Sequence, residues 1–385
     1  RVLSIDLDAA SPSWQVVVEQ RGEPIDSAAL IGDRLVLSYL RDAASRAVVH
    51  SREGALEREI DLAGLGSVGS FSGRPGDPEA FYSFVSFNRP ATIYRFDAAS
   101  GASTVFAAPQ LAFDPEDLVV EQRFYASRDG TRVPMFIMRR RDVAASGAPV
   151  PTLLYGYGGF DISLTPSFSA SRLAWVEAGG AYVVANIRGG GEYGKAWHDG
   201  GRRANKQNVF DDFIAAGEFL IAEGITPAGG LAIQGGSNGG LLVGAVANQR
   251  PDLFAAGNAA VGVMDMLRFD RFTAGRYWVD DYGYPDRAED FAILRAYSPL
   301  HNIREQADYP ALLVTTADTD DRVVPGHSFK YTAALQAADL GERPHLIRIE
   351  TRAGHGSGKP TDKAIAEAAD VMSFLAHWTG LQPSE

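Results

Sequence analysis

The stretch LAIQGGSNGGLLVGAVANQ, residues 231–249, sets Ser237 and Asn238 between two pairs of glycines. Glycine weakens strands and helices alike, so four of them around one serine need a cause. The flanks supply it. LAIQ is a strand-length apolar run, GLLVGAVANQ reads as a buried helix, and a G-x-S-x-G spacing on Gly235, Ser237 and Gly239 joins them. A strand that turns sharply into a helix lifts a serine hydroxyl above the end of a sheet, and residues without a Cβ let neighbouring backbone pass that close. In a chain with 41 glycines the bare spacing is weak; the strand–turn–helix setting makes Ser237 a candidate nucleophile.

Working outward, apolar strand-length runs at 152–155, 181–187, 230–234, 254–261, 312–316 and 345–350 alternate with helical patterns near 170–178, 208–222, 239–249, 326–337 and 364–377. Unbroken apolar strands separated by helices mean a mostly parallel, doubly wound sheet covered on both faces. Such sheets carry their sites at the C-terminal ends of the strands. Upstream, DLVVEQRFYASRDGTRVPMFIMRRR reads as a hairpin turning at Asp129-Gly130, and 142–151 as a loop. The expected fold of residues 111–385 is an α/β-hydrolase domain.

Residues 1–110 differ in style, with short alternating runs such as RLVLSYL and AFYSFVSF and no helical pattern. LDAAS at 7–11 recurs as FDAAS at 96–100, 89 residues later, and RLVLSYL matches AFYSFVSF at a shift of 46. An all-strand unit of about 45 residues is the size of a β-propeller blade. The segment holds two to three such blades, whereas a closed propeller needs four or more. With no initiator Met and no signal-like segment at its start, the chain is expected to be the C-terminal part of a longer protein.

Composition narrows the function. Net charge is −12, from 36 Lys+Arg against 48 Asp+Glu, which argues against nucleic-acid and anionic-membrane partners. The run Arg139-Arg140-Arg141 reads as a solvated strand end. No apolar run reaches the ~18 residues of a membrane helix. The absence of cysteine excludes disulfides, thiolate zinc sites and a thiol nucleophile. The compartment is left open between cytoplasm and periplasm.

RGGGEYG places Gly189, Gly191 and Gly194 in dinucleotide-fingerprint spacing after the run AYVVANI. That fingerprint requires a helix opening at the third glycine and an acid closing the next strand. KAWHDGGRRANKQN, which follows, reads as polar, glycine-broken and not helical, so a structural loop is expected and no cofactor or metal. A serine nucleophile needs a base, then an orienting acid, in the chain order Ser, Asp/Glu, His. His355, in the glycine-rich loop after the last strand, is the candidate base, while His301, His327, His345 and His377 read as structural or surface residues. The acid lies among Asp318, Asp320 and Asp321, and spacing does not choose among them.

YGYGGF, ANIRGGGEYG, GGSNGGLL, NQRPDLF, GVMDML, YSPLHN, TADTDDRVVP and AGHGSGKP together resemble the prolyl oligopeptidase family of serine peptidases, over essentially the whole chain. The resemblance implies an α/β-hydrolase domain capped by a seven-bladed propeller. It also implies hydrolysis of short peptides on the carboxyl side of proline by a monomeric enzyme without cofactor. Carried over by position, it puts the nucleophile on Ser237, the base on His355, the acid on Asp320, and the oxyanion donors on the Tyr157 hydroxyl and the Asn238 N–H. It puts a proline pocket on Trp278, with Tyr282, Val263, Phe160 and Val323 as walls, and a substrate-carbonyl ligand on Arg322. The alternatives are an oligopeptidase cutting after Lys or Arg, an esterase of the same fold, or an interaction module with an inactive hydrolase domain. An acid at Trp278 or Val263 would have favoured the first, and an incomplete Ser, Asp and His set the last.

Overall fold

The computed structural model describes residues 1–356 and 358–382. Ser357, in the AGHGSGKP motif, and residues 383–385, at the end of the expected second domain, lie outside them. The chain forms two compact units, residues 1–115 with 165–169 and 192–194, and 116–164 with 170–191 and 195–385.

The first unit is built of antiparallel sheets. Strands β1 (Val2–Ile5) and β2 (Trp14–Val18) form a pair. Strands β3 (Ile25–Ile31), β4 (Arg34–Arg41), β5 (Ala44–Ser51) and β6 (Leu56–Glu59) form a four-stranded sheet in chain order. The third sheet comprises β7 (Ser67–Val68), β8 (Ser72–Gly73), β9 (Glu79–Val85), β10 (Thr92–Asp97) and β11 (Ser103–Ala107). Successive side chains of a strand face opposite ways, and the middle sheet uses both faces. Val36 and Val49 join Phe71, Tyr82, Phe84 and Phe96, whereas Leu37 and Val48 join Val18 of β2. The repeat has a structural counterpart: its first motif lies in the β1–β2 connection and the β10–β11 turn, its second on β4 and β9.

The second unit holds an eight-stranded sheet. In chain order its elements are β12 (Leu118–Ala126), β13 (Arg132–Arg140), α1 (Arg141–Ser146), β14 (Thr152–Tyr155), α2 (Ala170–Glu177), β15 (Ala181–Ala185), α3 (Lys195–Asp199), α4 (Gln207–Ala222), β16 (Leu231–Gly236), α5 (Asn238–Gln249) and β17 (Ala256–Ala260). Then come α6 (Val279–Tyr282), α7 (Ala288–Tyr297), β18 (Ala311–Ala317), α8 (Gly326–Ala337), β19 (His345–Glu350) and α9 (Thr361–Thr379). The sheet order is β12-β13-β15-β14-β16-β17-β18-β19, parallel from β14 to β19 and antiparallel through the β12–β13 hairpin. Helices α2 and α9 pack together, as do α4 and α5. The interior strands are mostly apolar because both faces are covered: every residue of β15 and β18 is buried, while the edge strand β19 has Leu346 and Ile349 exposed.

Two expectations are corrected. Residues 142–146 of the expected loop belong, with Arg141, to α1, which Gly147 closes at φ 67°. The alanines, the acid in its first turn and that glycine are ordinary helix signals. Residues 195–199, expected as non-helical, form α3, with a 3₁₀ turn at Arg203–Asn205. Each is too short to show a period. The arginine run is neutralised by pairing, Arg139 with Glu121, Arg140 with Asp142 and Arg141 with Glu116. Among the described residues no helix is long and apolar enough to cross a membrane.

The topology decides where a site can form. Strand β14 pairs with β15 on one side and β16 on the other, so the strand order reverses there. Loops leaving neighbouring strands at such a reversal diverge and open a crevice at their C-terminal ends. The loops after β14 and β16 carry Tyr157 and Ser237.

His327 on α8 is fully buried, and its Nδ1 accepts the Asp265 N–H at 3.1 Å. Burial pulls its pKa down to about 4, with Asp265 opposing. Between its unfolded value near 6.5 and about 4, the unfolded chain binds a proton that the folded one refuses, so stability falls as pH drops through that window. The loss amounts to about 3 kcal/mol at ~1.4 kcal/mol per unit. His327→Asn, which keeps an acceptor, should flatten the acid limb by that order in urea unfolding at pH 7 and 4.5; an unchanged limb would show that His327 is not responsible.

Candidate active site

The turn between β16 and α5 is strained. Ser237 sits at φ 57°, ψ −115°, a region that costs a residue with a side chain ~1–3 kcal/mol. Its N–H donates to Ala260 O at 2.8 Å, and its carbonyl accepts the N–H groups of Gly240 and Leu241 at 2.9 and 3.1 Å. A Cβ on Gly235 would lie 2.3 Å from Gly239 O, one on Gly239 2.7 Å from Gly156 O, and one on Gly240 2.6 Å from the Gly262 Cα. Gly236 is different: its nearest neighbour would be 3.9 Å away. Three of the four glycines thus serve the turn, not all four as expected.

Asp320 follows β18, and His355 lies on the loop after β19. Of Asp318, Asp320 and Asp321, it is Asp320 whose carboxylate meets the imidazole, with Oδ2 2.7 Å from His355 Nδ1. Its Oδ1 accepts the N–H groups of Arg322 and Val323 at 3.0 and 2.9 Å. These bonds hold and aim a fully buried carboxylate. An Nδ1–H donated to it leaves His355 Nε2 as the basic nitrogen. Among the described residues no hydrogen bond joins Ser237 to His355; the serine and the Tyr157 phenol line the same cavity.

Burial raises the Tyr157 pKa, partly offset by Arg322, so the phenol stays protonated and can donate. Asn238 opens α5, and the first N–H of a helix has no intrahelical acceptor and lies at the positive end of the dipole. The Asn238 side chain is buried, its Nδ2 donating to Tyr157 O and its Oδ1 accepting from Tyr282 OH at 2.9 Å. Ser237 and the Tyr157 phenol line one cavity, and the Asn238 N–H follows the serine directly in the chain.

A cavity of about 130 Å³ opens beside Ser237, lined by Tyr157, Phe160, Val263, Trp278, Tyr282 and Arg322 together with Ile162 and Tyr277. A void of ~150 Å³ lined by apolar side chains takes up a benzene ring, so this one suits a single small ring. Its floor is an aromatic cluster. Tyr282 meets Phe160 and Phe269 edge to face at 5.4 and 5.2 Å, and Trp278 lies parallel to Phe269. Among the described residues no carboxylate lines the cavity: nearby Asp281 accepts the Phe160 N–H at 3.2 Å and bonds His198 Nε2 at 3.1 Å.

Val323 departs from expectation, lying in the core at 1 % exposure and not on the cavity wall. Three residues escaped the sequence reading. Tyr277, 70 % exposed, adjoins Trp278 and Ile162 follows YGYGGF, so proximity was the available signal. Phe269 looks like any core aromatic in sequence. Gly189 and Gly191 of RGGGEYG serve close packing: a Cβ on Gly189 would fall 2.6 Å from Gly158 O, and one on Gly191 2.6 Å from Asp161 O. Among the described residues no group of three His, Asp or Glu could hold a metal ion.

Comparison with known proteins gives the family. Residues 166–382 match the prolyl oligopeptidase family, and residues 1–109 its N-terminal beta-propeller domain. The prolyl endopeptidase of Elizabethkingia miricola is 47% identical over 373 residues, 96% of this chain and 52% of the relative. A solved structure from a structural and mechanistic analysis of two prolyl endopeptidases shares 59% identity at a TM-score of 0.88, covering 99% of this chain and 54% of the other. Prolyl oligopeptidase B of Galerina marginata, bound to a 35mer hydrolysis and macrocyclization substrate, superimposes at a TM-score of 0.93 with 36% identity, covering 99% of this chain and 55% of that one. The chain spans about half the length of the curated relatives it matches.

The glycines give a direct test of the turn. Gly235→Ala and Gly240→Ala force backbone apart and should each destabilise by at least ~1–3 kcal/mol. Gly236→Ala should stay within ~0.5 kcal/mol of the parent. Urea midpoints for the three variants check this, and an equal loss at Gly236 would overturn the assignment.

Proposed function

Since this chain belongs to the prolyl oligopeptidase family, we propose that it carries the catalytic part of a serine peptidase cleaving short peptides on the carboxyl side of proline. Residues 111–385 are the peptidase domain and 1–110 part of a propeller, and the enzyme acts as a monomer without cofactor. The observation that carries the reading is the small aromatic cavity opening directly beside Ser237 at the strained turn.

The substrate's proline ring enters that cavity and lies against Trp278. A flat apolar wall favours a rigid uncharged ring, and stacking adds ~1 kcal/mol beyond burial. With no carboxylate in the lining, a Lys or Arg side chain would be buried unpaired, which is costly. Arg322 at the rim holds a carbonyl of the peptide. The substrate carbonyl lies against the Tyr157 hydroxyl, and Ser237 Oγ attacks while His355 Nε2 takes its proton. Asp320 holds the Nδ1–H and stabilises the imidazolium. Negative charge develops on the former carbonyl oxygen between the Tyr157 hydroxyl and the Asn238 N–H, each worth ~3 kcal/mol in the transition state. His355 then protonates the leaving amine, the C–N bond breaks, and water attacks the acyl-enzyme by the same route in reverse.

Ser237→Ala should abolish turnover while leaving peptide binding nearly intact, and undiminished hydrolysis would end the reading. Asp320→Asn should lower kcat by about 10⁴, and the same drop from Asp318→Asn instead would move the acid. On chromogenic peptides varying Pro, Ala, Arg and Phe before the scissile bond, Trp278→Ala should raise KM for proline alone. Equal loss across the panel would make Trp278 a packing residue.

A further inference from the structure

Lys206 lies between the 3₁₀ turn Arg203–Asn205 and α4, in the polar stretch after the glycine-rich loop. It is 1 % exposed and, among the described residues, forms no ion pair. Burying an unpaired ammonium is costly, and an apolar side chain of the same length would avoid the cost. What such a side chain would lack is donors. The Lys206 Nζ donates to Gly158 O at 2.8 Å and to Asn238 Oδ1 at 3.1 Å, and it lies 5.5 Å from the centre of the Tyr282 ring.

Both acceptors are neutral, and they belong to the two halves of the oxyanion site. Gly158 follows Tyr157 in the loop after β14; Asn238 supplies the first N–H of α5. The Asn238 amide closes the ring by donating to Tyr157 O. The loop needs such holding, because Gly158, Phe160 and Asp161 all have φ near +60°, at 64°, 59° and 60°. Asp281 secures its far side through the Phe160 N–H, and His198 and Lys195 back Asp281 in turn.

We propose that Lys206 is a positioning residue for the reaction: its ammonium fixes the Tyr157 loop and Asn238 relative to each other, so that phenol and N–H converge on the same developing oxyanion. The proposal rests on the peptidase reading above. Burial pulls the ammonium down to about 8, with Asp281 opposing, which accords with a charge held for its hydrogen bonds at a cost in stability.

The test uses the full-length protein. K206M keeps the length and volume and removes the donors. Its kcat on a prolyl substrate should fall about a hundredfold, with KM changed less than about twofold, the pattern of an interaction made in the transition state. A peptidyl-prolinal, whose aldehyde adds to the serine to give a tetrahedral oxyanion, should lose affinity in parallel. A peptide ending in prolinamide should bind as before. In a Tyr157→Phe background the K206M loss should be much smaller, since it runs through the phenol. K206Q, neutral but still a donor, should fall between and serves if K206M does not fold. Wild-type kcat in either variant, equal losses for aldehyde and amide, or full additivity with Tyr157→Phe would each overturn the proposal. If the parent protein cleaves none of the peptides and its serine does not react with the aldehyde, the peptidase reading itself fails and takes this one with it.

Discussion

One backbone conformation constrains the whole second unit. Ser237 occupies a region that residues with side chains avoid, and nothing local repays the cost. The surroundings impose it. The β17 carbonyl of Ala260 holds the serine N–H, three glycines let backbone from the turn, the β14 loop and Gly262 approach within contact, and α5 continues from the turn into a wholly buried helix. A sheet buried on both faces is stiff enough to keep such a residue strained. The sheet is therefore the device that keeps the serine hydroxyl lifted and apart from its own backbone.

Around that turn, buried charge is managed by aimed backbone and not by simple ion pairs. Asp320 is met by two amide N–H groups besides its imidazole, Asp281 by an amide and a histidine, and Lys206 by a carbonyl and a side-chain amide. Hydrogen bonds with one charged partner are short and directional in a dry interior. Each therefore orients a loop as well as satisfying a charge. The loops after β14, β15 and β16 are thus braced together where the strand order reverses, while Asp320 ties the loop after β18 to that after β19.

Much of this was legible beforehand because it rests on repeating patterns. Strands 152–155 and 345–350 and helix 326–337 coincide with the observed elements, since apolar runs bounded by turns leave little choice. Helices α1 and α3 were missed because one or two turns carry no periodicity. Spacing left three aspartates open and only the family resemblance singled out Asp320; in space it is Asp320, and not its neighbours in sequence, that meets His355. Phe269 and Lys206 were invisible for opposite reasons. One looks like any core aromatic, the other like any surface lysine, and their significance lies in what other segments bring to them. Gly236 is the converse, a glycine beside the serine that the G-x-S-x-G spacing does not require and the packing leaves free.

The sheet order has a consequence for how activity is lost. Ser237 hangs from an interior strand with neighbours on both sides, but His355 hangs from β19, which pairs with β18 alone and keeps Leu346 and Ile349 exposed. Edge elements with few buried contacts open at a fraction of the free energy of global unfolding. Sub-global release of β19 would carry the base away while leaving the serine turn, the aromatic cavity and most of the core in place. Inactivation by mild denaturant would then run ahead of the loss of secondary structure, through a species that still holds a peptide but has nothing to take the proton.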